Sequence, residues 1–118
     1  MDTYTLVRTE HLNHFGYLFG GQMLKWVDEF AWLAATREHP GCTFVTRAMD
    51  QVTFRHQVGN GTILRFNCDR ERRGTTSVGY RVQVFAQAAG APQEEHMVFS
   101  TCITLVNVDQ EGRKISLP

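Results

Sequence analysis

Gly21 and Asp28 stand seven residues apart in a stretch of helical periodicity, with a second glycine, Gly20, just ahead of them. Seven residues are two turns of helix. The first N–H groups of a helix lack intrahelical acceptors and lie at the positive end of its dipole. With no Cβ in the way, a ligand oxygen can come close to them, so Gly20-Gly21 reads as a candidate oxyanion site. Asp28 interrupts the shoulder of an apolar arc, where a carboxylate gives up water and needs a donor or a cation to stay charged. A base two turns beyond an oxyanion site is suited to attack on a carbonyl. The structural alternatives are a tight loop-to-helix turn at the glycines and pairing of Asp28 with Lys25 or Trp32. Asn13, in the lead-in, has its own alternative as a turn residue bonded to its own backbone.

The segment that positions these residues, 13–38, holds the one clear helix of the chain. At about 100° per residue, Met23, Leu24, Val27, Ala31, Ala34 and Ala35 share one arc, which Trp26, Phe30 and Leu33 extend. The arc is roughly 200° wide, leaving only Lys25, Glu29 and Thr36 for solvent, and predicts a sheet wrapped around the rest. His39-Pro40-Gly41 stops the helix. Residues 1–9 carry a short strand and 10–16 a loop. Past the helix the pattern turns to β over 43–54, 62–72, 77–87 and 96–108, with turns at Gly59-Asn60-Gly61, Gly74-Thr75-Thr76 and Ala89-Gly90-Ala91-Pro92. In the first of these, alternation puts Phe44, Ala48, Val52 and Phe54 on one face and Val45, Arg47 and Met49 on the other. The tail, 109–118, reads as polar and frayed. Strands of about 11 residues are long enough to curl. One helix covers a strip about 10 Å wide, whereas five strands span roughly 24 Å, so an edge needs another partner. A homodimer that continues the sheet is the simplest solution.

With 118 residues, 42% of them hydrophobic, 1–118 reads as one domain with a core of its own and no repeat or linker. Twelve basic residues balance 12 acidic ones, which removes the usual electrostatic support for nucleic-acid binding. An anionic ligand must then be held by a local cluster. Cys42, Cys68 and Cys102 are odd in number and lack zinc-type spacing, as expected of reduced core thiols. No secretory h-region and no apolar run near about 18 residues is present, so a soluble, cytoplasmic protein without membrane contact is expected.

Four motifs in register carry a resemblance. N-x-x-G-x-x-F-G-G (Asn13, Gly16, Phe19, Gly20, Gly21), L-K-W-x-D (Leu24, Lys25, Trp26, Asp28), V-T-x-x-x-D-x-V-x-F (Val45, Thr46, Asp50, Val52, Phe54) and G-T-T-S-V (Gly74 to Val78) together resemble the hotdog-fold acyl-CoA thioesterases, over roughly residues 5 to 108. The closest group looks like the acyl-CoA hydrolases that include bacterial short-chain and mammalian cytosolic and brown-fat-inducible enzymes. The resemblance implies an α+β hotdog fold, one long helix wrapped by a curved antiparallel sheet of five to six strands. It also implies homodimers that assemble further, into tetramers or hexamers, with sites at the dimer interface. Asp28 matches the catalytic acid, Asn13 the water-positioning amide and Gly21 the backbone donor. Coenzyme A contacts map to Gly20, to Thr46, Arg47, Ala48 and Met49, and to Ser77, Val78 and Gly79. The chain departs from the family at Val58-Gly59-Asn60, usually V-G-D, and at His56, positions that bear on chain length and nucleotide grip.

Thioester hydrolysis suits these residues. Gly21 N–H meets the oxygen that becomes negative. Asp28 deprotonates water or attacks directly to form an anhydride, and Asn13 accepts from and donates to the same water. The leaving thiol is acidic, about 8.5 if cysteine is a guide, so no strong general acid and no cofactor is required. Arg70, Arg72 and Arg73 form a cluster for coenzyme A phosphates, with a self-neutralised strand end, through Asp69 and Glu71, as the alternative. His11 and His14 read as loop residues, His39 as a helix-end residue, and His56 and His96 as turn or sheet-edge residues. Two other functions are open: a hotdog enoyl-thioester dehydratase, which needs a histidine beside the acid, and a non-catalytic acyl-CoA sensor.

Overall fold

Helix α1 (Gly20–Glu38) begins at the glycine pair and stops before Pro40-Gly41, as its periodicity and stop signal predict. The protein is seen in a computed structural model that describes residues 1–87 and 94–118, so the turn expected at 89–92 lies outside the described residues. Met23, Trp26, Val27, Ala31, Ala34 and Ala35 are buried, with Leu24 and Phe30 packed partly against them. Leu33 stays exposed at the arc's margin, whereas Thr36 is half-buried.

Five strands form one antiparallel sheet in the order β1-β3-β4-β5-β2: β1 (Asp2–Leu6), β2 (Phe44–Phe54), β3 (Ile63–Arg73), β4 (Ser77–Gln87) and β5 (His96–Asn107). Leu64, Phe66 and Cys68 of β3, Val78, Tyr80, Val82 and Val84 of β4 and Phe99, Ile103 and Leu105 of β5 alternate onto one buried face beneath α1. The order leaves β1 and β2 at the edges. Along β2, Val45, Val52 and Phe54 remain 41–52% exposed, an apolar edge of the kind that calls for another strand.

Two irregularities overturn the face assignment made for β2. Its pairing with β5 shifts between Thr46 and Ala48 and again between Asp50 and Thr53, where Gln51 takes a φ of +56°. Each extra residue flips the side chains that follow. Thr46, Met49 and Phe54 therefore share the helix face, opposite Leu105, Ile103 and Phe99, while Ala48 turns outward opposite Thr104.

The tail is pinned rather than frayed. Asp109 Oδ1 accepts from Glu111 N and Arg113 N at 2.9 Å each, a turn that Gly112 completes with φ +81°. Ile115 N then bonds Asn107 O and Leu117 N bonds Thr75 O, so the segment's backbone is satisfied against the sheet. The three cysteines are free thiols, and burial pushes the Cys68 thiol up to about 12.

Candidate active site

The opening of α1 has no side-chain cap, and Met23 N is the first amide bonded back, to Phe19 O at 3.1 Å. Among the described residues the Gly20, Gly21 and Gln22 N–H groups have no backbone acceptor. The two glycines differ in cause. A Cβ on Gly20 would sit 3.3 Å from the Phe54 ring, so packing within the chain keeps that residue small. Gly21 is exposed and a Cβ there would meet nothing within 4 Å, so nothing in this protomer requires a glycine at that position. Beside the pair opens a cavity of about 220 Å³, walled by Leu18, Phe19 and Phe54 and floored by the buried Met23, Val58 and Val98.

Asp28 lies two turns on, half-buried, and its partner is neither Lys25 nor Trp32. Thr46 Oγ1 donates to Asp28 Oδ1 at 2.5 Å, and Trp32 Nε1 donates instead to Phe44 O at 3.0 Å. Thr46 lies ahead of the first shift in β2, in step with the buried Phe44, so its hydroxyl is on the helix face, where it holds one carboxylate oxygen and leaves Oδ2 without a bond among the described residues. Thr46, expected to touch coenzyme A, is thus also the hydrogen-bond partner of Asp28. The sequence carries no signal for this, because the two residues are 18 positions apart.

Asn13 does act as a turn residue. Its Oδ1 accepts from Phe15 N at 2.9 Å and Tyr17 N at 3.2 Å, and two backbone donors identify that atom as the oxygen. Both acceptor positions of the oxygen are then filled, so what Asn13 offers outward is its amide N–H₂. The lead-in is tied to the β3 side of the helix: His11 meets Trp26 edge-to-face at 4.7 Å, and Trp26 meets Phe66 at 6.1 Å. Asp28 follows Trp26 by about 200° around the helix and reaches β2, three strand spacings or roughly 14 Å across the sheet. One protomer thus anchors the lead-in at His11 on the flank of α1 opposite to Asp28.

The expected arginine cluster does not form. Pairing between β3 and β4 shifts between Arg70 and Arg72, and the extra residue sends the two guanidinium groups to opposite faces. Arg70 Nη1 sits 3.3 Å from His39 Nε2 at the far end of α1, whereas Arg72 reaches Ser77 Oγ and Thr104 Oγ1 on the outer face. Arg73 Nη2 bonds Pro118 O. The self-neutralised alternative is not realised either, since Asp69 turns to Arg81 and the N-terminal amine, and Glu71 accepts from the Cys102 thiol. Arg72 covers Gly79, where a Cβ would lie 3.2 Å from its Nη2, and Val78 is fully buried. Of that segment, only half-buried Ser77 keeps its side chain toward the surface. Ala48 turns to the outer face and Met49 inward. Arg47 stays exposed and shares a shallow depression with Lys114, a cation the sequence reading passed over because the tail was taken as frayed.

Comparison with known proteins places these features in a family. The family model described as the thioesterase superfamily matches residues 15–91. Acyl-coenzyme A thioesterase 11 of Mus musculus is 38% identical over 82 residues, covering 70% of this chain and 14% of that protein, so the chain spans about a seventh of this relative's length. Among solved structures, the acyl-CoA hydrolase of Staphylococcus aureus with butyryl coenzyme A, coenzyme A and coenzyme A disulfide superposes with a TM-score of 0.90 at 26% identity, covering 100% of this chain and 71% of that one. Structures of that enzyme with an asparagine or an aspartate replaced by alanine change two positions separated in sequence as Asn13 and Asp28 are here. A hexameric hotdog fold thioesterase of Campylobacter jejuni superposes at 0.87 with 28% identity, covering 98% and 88%. The fold is the hotdog fold, and the chain belongs to the thioesterase superfamily.

Proposed function

We propose that this chain hydrolyses acyl-CoA thioesters to a free acid and coenzyme A. The observation that carries the reading is the helix start: N–H groups at Gly21 open to a ligand beside an apolar cavity, with Asp28 braced two turns along the same helix. The thioester carbonyl oxygen is held at the Gly21 N–H, where charge develops as the carbonyl is attacked. Asp28 Oδ2, left open by Thr46, takes the proton of the attacking water or attacks itself. The Asn13 N–H₂ donates to that water or to the acyl oxygen. Two chains are needed, because the lead-in that carries the amide is anchored on the flank of the helix opposite to the acid. Pairing along the exposed β2 edge brings the Asp28 flank of one copy to the Asn13 loop of another, and the hexameric relative supports assembly beyond the dimer. Arg47 and Lys114 are the cations placed to meet coenzyme A phosphates. No cofactor is required. No described helix is long and apolar enough to cross a membrane, and a cytosolic acyl coenzyme A thioester hydrolase among the relatives supports a cytoplasmic location.

The dehydratase alternative lacks its histidine. Among the described residues Asp28 is bonded to Thr46, while His39 is buried against Ala35 O and Arg70. Free-thiol release from a panel of acyl-CoA substrates tests the proposal. Wild type is expected to release coenzyme A, and Asp28→Ala to lose turnover while still binding acyl-CoA in calorimetry. Full turnover in Asp28→Ala would remove the carboxylate from the mechanism.

A further inference from the structure

We propose that the cavity at the start of α1 is a pocket for short acyl chains whose far wall is the histidine pair His56 and His96. The inference rests on the thioesterase reading and adds the substrate's chain class and the residues that set it. The pocket begins at Gly20, next to the amide that takes the carbonyl oxygen, so an acyl chain leaving that point runs over Met23, Val58 and Val98. A second hollow of about 120 Å³ continues beyond it and shares Gln57 and Val58. His56 lines the first hollow and His96 the second, and their rings meet edge-to-face at 5.3 Å between centroids. Both histidines are exposed on their outer side, and together with the shared Gln57 and Val58 the pair stands between the two hollows.

Size and polarity act in the same direction. An enclosed apolar cavity of about 150 Å³ holds benzene, so a hollow of about 220 Å³, open on one side and lined also by Arg55 and Gln57, has room for a chain of roughly six carbons once the thioester occupies its mouth. A longer chain has to cross the exposed imidazoles and displace water from their ring nitrogens. That loss is unfavourable unless a polar partner replaces the water, and a methylene chain offers none. The histidine at position 56, where the family pattern differs, is on this reading the residue that shortens the pocket.

The test compares kcat/KM for acetyl-, butyryl-, hexanoyl-, decanoyl- and palmitoyl-CoA by free-thiol release, using the full chain and its His56→Ala, His96→Ala and His56→Phe variants. Wild type is expected to peak at butyryl or hexanoyl and to fall by about tenfold or more at decanoyl. Each alanine variant raises the decanoyl to butyryl ratio by about tenfold as the hollows join, and His56→Phe, which keeps the wall and removes only the polarity of one ring, raises it by less. The same ratio read from acyl-CoA binding by Asp28→Ala, with and without His56→Ala, covers a histidine variant that has lost turnover. A wild-type optimum at decanoyl or palmitoyl overturns the proposal, as does an unchanged ratio in both alanine variants. No turnover on any chain length would instead overturn the hydrolytic reading beneath it.

Discussion

Thr46 Oγ1 occupies one oxygen of Asp28 and leaves the other, so brace and acid can be separated by substitution. Thr46→Val keeps the shape and removes the donor. A hydrogen bond to a charged group contributes about 1.5–3 kcal/mol, and losing it is expected to lower kcat by about tenfold to a hundredfold with little change in KM. Steady-state kinetics on butyryl-CoA check this. Asn13 separates in the same way. Asn13→Asp retains an oxygen for Phe15 N and Tyr17 N, so the loop survives, but it removes the outward N–H₂. Turnover should fall in Asn13→Asp while thermal stability stays near wild type, whereas Asn13→Ala loses both. Asp28 and Asn13 stood out in the sequence because an acid on an apolar arc and an amide before a Gly-Gly pair are locally conspicuous. Thr46 as a brace did not, since a threonine in a strand is ordinary until the fold brings a carboxylate to it.

Between the ends of α1 the constraints differ. At its start, Gly20→Ala presses on the Phe54 ring at 3.3 Å, and because that ring is 52% exposed it can yield, so stability should fall by about 1 kcal/mol or less. Gly21→Ala meets nothing and gains the helix preference of alanine, about 0.5–1 kcal/mol, while narrowing the approach to the amide. Thermal melts and thiol release on the two variants should therefore diverge, with Gly21→Ala at least as stable as wild type but slower. Beneath the far end of the helix, the Tyr80 hydroxyl donates to Glu38, and burial first, then Glu38, holds that phenol above its usual range. The buried Cys68 thiol, pushed up to about 12 from an ordinary 9.0, gives a pH signature. Its raised value keeps the folded form protonated where the unfolded thiol ionises. The stability it contributes is therefore complete below about pH 9 and lost as pH rises toward 12. Urea denaturation across that window should show a falling midpoint, and Cys68→Ala should flatten the part due to this thiol. Element positions were legible in the sequence, since every strand and the helix fall within a residue or two of their periodic stretches. Faces past a β-bulge were not: one inserted residue reverses all that follow, which is how β2 came to present Met49 to the helix and turn Ala48 away, and how Arg70 parted from Arg72.

For the whole molecule, the proposed site predicts complementation between inactive chains. Mixing Asn13→Ala with Asp28→Ala gives dimers in which one site keeps both residues, so about a quarter of wild-type activity should return if half of the dimers are mixed. Activity that stays absent after subunit exchange, verified by native mass spectrometry, would mean that the two residues serve the same protomer's site. Placing lysine at Val45 or Val52 on the exposed β2 edge should shift sedimentation toward monomer and remove turnover with it. The sequence alone determined the helix with its glycine start and its acid, the long strands around it and the apolar surface for which a covering partner is proposed, because periodicity, chain breakers and apolar area are local or additive properties. Only the tertiary structure decided which hydroxyl holds Asp28, that Asn13 keeps a donor rather than an acceptor free, which arginines stay together, and that His56 and His96 meet across 40 positions of chain. Those outcomes depend on register and on contacts between distant segments, and they exist only once the sheet has closed over the helix.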